Sequence, residues 1–73
     1  MAQVQFCTVE IPEGLHIRTQ PNTNAEVVWK ADPGTTLNYF EVVPGENVGG
    51  NPNWGHSVEN HYYWMGGTDQ KNG

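Results

Sequence analysis

Five prolines and nine glycines interrupt a chain of 73 residues, and this punctuation restricts the fold more than any other feature. An α-helix needs an unbroken run with an apolar period near 3.6 residues, and proline or glycine inside such a run weakens it. No uninterrupted stretch here carries that period. Short β-rich segments stand between turn signals instead. Residues 3–11 (QVQFCTVEI) predict a strand, which Pro12-Glu13-Gly14 breaks. Residues 15–18 and 25–31 predict two more, and 35–43 (TTLNYFEVV) the longest. Asp32-Pro33-Gly34 is a turn between them, because proline presets φ and glycine accepts positive φ. Pro44 to Asn53 reads as a polar loop. Residues 54–58 (WGHSV) and 61–66 (HYYWMG) predict a hairpin around Glu59-Asn60, and Thr68 to Gly73 a polar tail that frays. The expected architecture is all-β, a small barrel of five to six short antiparallel strands.

A chain this short forms one domain with a thin core. Cys7 is the single cysteine, so no intrachain disulfide supports that core, and Cys7 reads as a small half-buried hydrophobe. The net charge is −5, with Arg18, Lys30 and Lys71 as the cations. That balance argues against nucleic acid, which needs a basic face, and against anionic lipid. No long apolar run is present, so neither a membrane span nor a signal-peptide core is expected. Any action outside the producing cell then relies on another route of release.

Aromatic residues are plentiful: Trp29, Trp54 and Trp64 join Tyr39, Tyr62, Tyr63, Phe6 and Phe40. Some must fill the core, and the surplus is available for a binding surface. Alternation over 61–66 sets Tyr62 and Trp64 on one face and His61, Tyr63 and Met65 on the other. Arg18 alternates with Leu15 and Ile17, so it points away from the core and is expected to form a local salt bridge or hydrogen bonds to loop carbonyls. His56 and His61 flank the predicted hairpin turn, and His16 lies on another strand. Their spacing demands no tetrahedral zinc site, so neither a metal nor a cofactor is expected. No nucleophile elbow, phosphate loop or zinc-protease signature occurs, so catalysis is not expected. Glu41, Glu46 and Glu59 read as solvated surface.

The order of the segments resembles the bacterial SH3-like (SH3b) family. Leu15, Ile17, Arg18 and Pro21, then Val27 and Val28, stand in the family's opening pattern within LHIRTQPNTNAEVV. The turn Pro33-Gly34-Thr35, Trp54 at the following hairpin, and Trp64 with Gly66 continue it. The resemblance spans residues 14–68. Thr19-Gln20 stands where the family often has a glycine, and the loop at 44–53 is longer than in a minimal member. Residues 1–13 add an N-terminal strand, and 69–73 a tail.

This resemblance implies a non-catalytic domain that targets a peptidoglycan hydrolase, such as a phage endolysin, to the Gram-positive cell wall. Its partners would be peptidoglycan or wall polysaccharide, and the full-length endolysin or its catalytic domain. It would be made in the host cytoplasm and act at the wall or extracellularly. The implied ligand site combines Thr19, Asn22, Thr23 and Asn24 in the loop with the rings of Tyr39, Trp54, Tyr62 and Trp64. A peptide-binding module and an oligomerisation module with no wall ligand remain alternatives.

The N-terminal strand carries a further expectation. Val4 and Phe6 lie on one face of it and Cys7, Val9 and Ile11 on the other. An apolar edge strand invites pairing with another chain, so Val4, Phe6 and Val9 are expected at the interface of a homo-oligomer, a dimer or tetramer. Met1 is compatible with an internal start inside an endolysin gene, whose product would assemble with the full-length enzyme.

Overall fold

A computed structural model describes residues 3–72. The start at Met1 and the last residue of the tail lie outside the described residues. Seven strands follow one another: β1 (Gln5–Thr8), β2 (Leu15–Arg18), β3 (Val27–Ala31), β4 (Thr36–Tyr39), β5 (Glu41–Val48), β6 (Asn51–His56) and β7 (Tyr62–Trp64). A short 3-10 turn, Met65–Gly67, comes after them. The fold is nearly all-β. Its strands form two antiparallel sheets, β1-β4 and β3-β2-β7-β6-β5, and these pairings do not close a barrel.

The seven strands are the additional N-terminal one and six more, as expected, but two stretches of the chain are divided differently from the sequence pattern. The run at 35–43 divides at Phe40, where the chain leaves the small sheet and enters the large one. The segment at 44–53 is not a polar loop but most of a β-hairpin, in which Val48 pairs with Asn51. Gly49 and Gly50 form its turn with φ of 58° and 90°, the positive values that a two-residue hairpin turn of type I′ requires. Pro44 is tolerated because β5 is the edge of its sheet. The second hairpin turns where the sequence predicts it, with Ser57 N–H donating to the His61 carbonyl at 2.9 Å and Asn60 at φ 67°.

The core lies between the two sheets. It holds Cys7 and Val9, Leu15 and Ile17, Ala31, Leu37 and Tyr39, then Tyr63 and Met65. Gly55 leaves room for the last two: a Cβ there would stand 2.7 Å from Met65 Sδ. Two expectations are corrected here. Val9 is 2% exposed and belongs to this chain's own core, so it is no part of an oligomer surface. Tyr39 is buried beside it and donates its hydroxyl to Gln5 Oε1 at 3.4 Å, so it offers no face to a ligand.

The strand expected over 3–11 is shorter, because pairing with β4 covers only Gln5–Thr8, followed by a bridge from Val9 to Thr68. The tail does not hang free as far as Lys71. Asp69 N–H donates to the Thr8 carbonyl at 3.0 Å, and Lys71 Nζ reaches Glu10 at 2.9 Å.

Candidate functional site

The polar stretch between β2 and β3 is held from both ends. Arg18, at the end of β2, turns its Nη1 back into the loop and donates to the carbonyls of Thr23 at 2.9 Å and Ala25 at 3.0 Å. Its Nη2 donates to His16 Nδ1 at 3.2 Å. Across the loop, the Glu46 carboxylate accepts from Thr23 N–H at 2.8 Å and from the Thr23 hydroxyl at 2.7 Å. The backbone bond from Thr23, then its hydroxyl, hold the Glu46 carboxyl below its ordinary value, and the Arg18 charge adds to this. Glu46 N–H donates in turn to the Pro21 carbonyl at 3.0 Å. Asn22 Oδ1 accepts from Asn24 N–H at 3.0 Å, a local turn that its short amide favours. Thr19 N–H donates to Glu26 across the loop base.

This clamp lays the loop over the large sheet's second face. Gly45 is squeezed between Pro21 and Trp54: a Cβ there would stand 2.4 Å from the Pro21 carbonyl oxygen and 2.6 Å from Trp54 Cδ1. Trp54 is therefore 1% exposed, and its indole N–H donates to the Glu46 carbonyl at 2.9 Å. It supports the loop and presents no open ring face, which corrects its expected role as a stacking residue. Trp64 lies opposite it in register on β7 and stays half-buried. Its indole N–H donates to the Asn51 carbonyl at 2.9 Å, and its ring covers Gly66.

A groove of about 180 Å³ runs between the loop and Trp64. Thr23, Trp54 and Trp64 line it, together with Glu13, His16 and Arg18. Three of the eight expected ligand residues thus meet. Thr19, Asn22 and Asn24 shape the loop without lining the groove. Tyr39 is in the core. Tyr62 stacks instead on His56, with ring centroids 4.3 Å apart and planes 13° from parallel. His56 is held further by Glu41 Oε2 at 2.6 Å from Nδ1 and Asn60 Oδ1 at 2.7 Å from Nε2. His61 lines a different cleft and His16 pairs with Arg18. Among the described residues no three His, Cys, Asp or Glu side chains come together as a metal site.

The sequence reading misses Glu46, taken as solvated surface. Its partner Thr23 is 23 positions away, and no local signal joins them. It also leaves Trp29 out of the site, although the ring is counted among the plentiful aromatics. Trp29 is 44% exposed. Comparisons with models of known families, with curated proteins and with solved structures find no match for this chain.

Proposed function

We propose that this chain is a non-catalytic binding module for the bacterial cell wall, which targets a linked peptidoglycan hydrolase such as a phage endolysin to its substrate. The observation that carries the reading is the preformed groove beside the half-exposed Trp64. Its loop wall is already ordered by Arg18 and Glu46, so a ligand meets a surface whose ordering cost is met within the fold. The groove sets an indole face beside hydroxyl, imidazole, carboxylate and guanidinium groups. That combination suits a ligand with a flat apolar side and several hydrogen-bonding groups, as sugars and extended peptides have. Tethered to an enzyme, even modest affinity raises the local concentration at the wall.

Cosedimentation with purified Gram-positive cell walls, with and without attached polysaccharide, tests this. The wild-type chain is expected to sediment with one or both. Trp64→Ala should weaken binding about tenfold, near 1.4 kcal/mol, while Asn24→Ala, outside the groove, leaves it unchanged. Thermal unfolding of each variant separates loss of binding from loss of fold. No cosedimentation of the folded wild type would sink the reading in favour of a peptide-binding or oligomerisation module.

A further inference from the structure

We infer that the cleft between β3 and β4 is a second ligand site, one that takes an extended peptide with a basic side chain. The inference does not depend on wall binding, and the residues involved lie outside the groove beside Trp64.

β3 and β4 follow each other through a tight turn, with Thr35 N–H donating to the Asp32 carbonyl at 3.0 Å. Strands joined so closely ordinarily pair. Here β3 ends the large sheet and β4 ends the small one. Each strand is thus terminal in its sheet, and between them a cleft of about 260 Å³ has Trp29 on the β3 side and Leu37 and Asn38 on the β4 side. Ile17 and Tyr63 contribute to its apolar floor.

Trp29 shows that this part of the core is incomplete. It pairs in register with Ile17, so both side chains leave the same face of the sheet. Ile17 is 2% exposed, yet Trp29 is 44% exposed. Val27 and Val28 before it are 41% and 43% exposed, so the edge strand presents three consecutive apolar residues. A terminal strand with this composition is a template for strand addition, in which a partner's backbone supplies further hydrogen bonds and alternate side chains enter the adjoining cleft.

Charge selects the occupant. Among the described residues, Glu59 is the formally charged side chain lining the cleft, and no lysine or arginine lines it. Its carboxylate oxygens accept only long bonds from Asn38 Nδ2, both 3.3 Å, so they retain capacity for a stronger donor. A lysine stem lying along Trp29 would meet an indole and then this carboxylate.

The test is a nuclear magnetic resonance titration of the full chain with a capped pentapeptide that alternates threonine and lysine. A glutamate counterpart and the variant Glu59→Gln complete it. The lysine peptide is expected to shift the amides of residues 27–31, 36–38 and 59–61, and Glu59→Gln to weaken it about fivefold. Glu59 is exposed, so this variant keeps the fold, which its own spectrum verifies. Four results would overturn the inference: no response at millimolar peptide, an equal response to the glutamate peptide, an undiminished response in Glu59→Gln, or shifts confined to the groove beside Trp64. Concentration-dependent shifts of residues 27–31 without peptide would overturn it as well, by giving the edge to a second copy of the chain. Wall binding enters none of these readouts.

Discussion

Cys7 and Tyr63 show at the residue scale how a thin core handles polar atoms. Tyr63 donates its hydroxyl to the Asn38 carbonyl at 2.8 Å. The contact of 3.4 Å between Cys7 Sγ and the Tyr63 oxygen therefore has the thiol as donor. Burial pushes the Cys7 thiol up, and pushes the Tyr63 and Tyr39 phenols up as well. All three keep their protons in the fold at a pH where the unfolded chain has begun to lose them. Their contribution is whole below the ordinary values, about 8.5 for a thiol and 10 for a phenol, and is lost as pH rises past those values toward the raised ones. Melting temperature should accordingly fall as pH is raised from about 8.5 to 11, first through Cys7 and then through the tyrosines. Cys7→Ala should flatten the first part of that fall. Tyr63→Phe should flatten the second, while lowering stability at neutral pH by about 1–3 kcal/mol because the Asn38 carbonyl loses its donor. Unfolding scans across the pH range check this, and a pH-independent melting temperature would contradict it. A thiol reagent should modify native Cys7 only at the rate of unfolding.

The loop between β2 and β3 shows at the element scale what a tertiary clamp does to a polar segment. Glu46 holds Thr23 while Arg18 holds the carbonyls of Thr23 and Ala25. Glu46→Gln removes the charge from those bonds, so the Thr23 amide should exchange with solvent about tenfold faster, with melting temperature nearly unchanged. The same loosening should appear in the wild type at low pH. A carboxyl held below its ordinary value keeps its contribution above that value and loses it as pH falls through the lowered one. Hydrogen exchange resolved by residue measures both. At the other hairpin, Gly50→Ala places a side chain at φ 90° and should cost roughly 1 kcal/mol. Alternation made part of this legible in the sequence: Tyr63 and Met65 share one face, which is the buried one, and Tyr62 and Trp64 share the other, which is half-buried. Arg18, pointing away from the core, takes the second of its two expected roles by bonding to loop carbonyls. Three features were not legible, for different reasons. Pro44 and the flanking glycines hid the β5–β6 hairpin, since an edge strand tolerates what a central one excludes. Gly45 stands between Trp54 and Pro21, an approach of loop to hairpin that exists only once the loop folds back. Thr23 and Glu46 meet through tertiary structure alone, which no short-range pattern encodes.

β1 has two different faces, and the contrast matters for the whole molecule. Cys7 and Val9 complete the core, whereas Phe6 and Val4 are 64% and 47% exposed. Phe6 stands opposite Asn38 in register, and Asn38 Oδ1 accepts from Val58 N–H at 2.9 Å. That bond brings Val58, itself 54% exposed, beside the same apolar patch. A small domain gains more than a large one from covering such surface, and one patch meeting its own copy closes as a dimer. Sedimentation velocity at tens of micromolar is expected to show a dimer, or a tetramer if a second surface joins. Deleting residues 1–11 is a poor test, because it strips Cys7 and Val9 from the core and unfolds what it should dissociate. Val4→Lys combined with Phe6→Lys leaves those two in place. It should give a monomer whose own stability is within about 0.5 kcal/mol of the parent domain, as for other surface changes. A wild-type monomer, or an oligomer that the double variant leaves intact, would remove this face from the account. If the dimer forms, each assembly carries two grooves beside Trp64, and its retention on a multivalent wall should exceed that of the monomeric variant by far more than twofold.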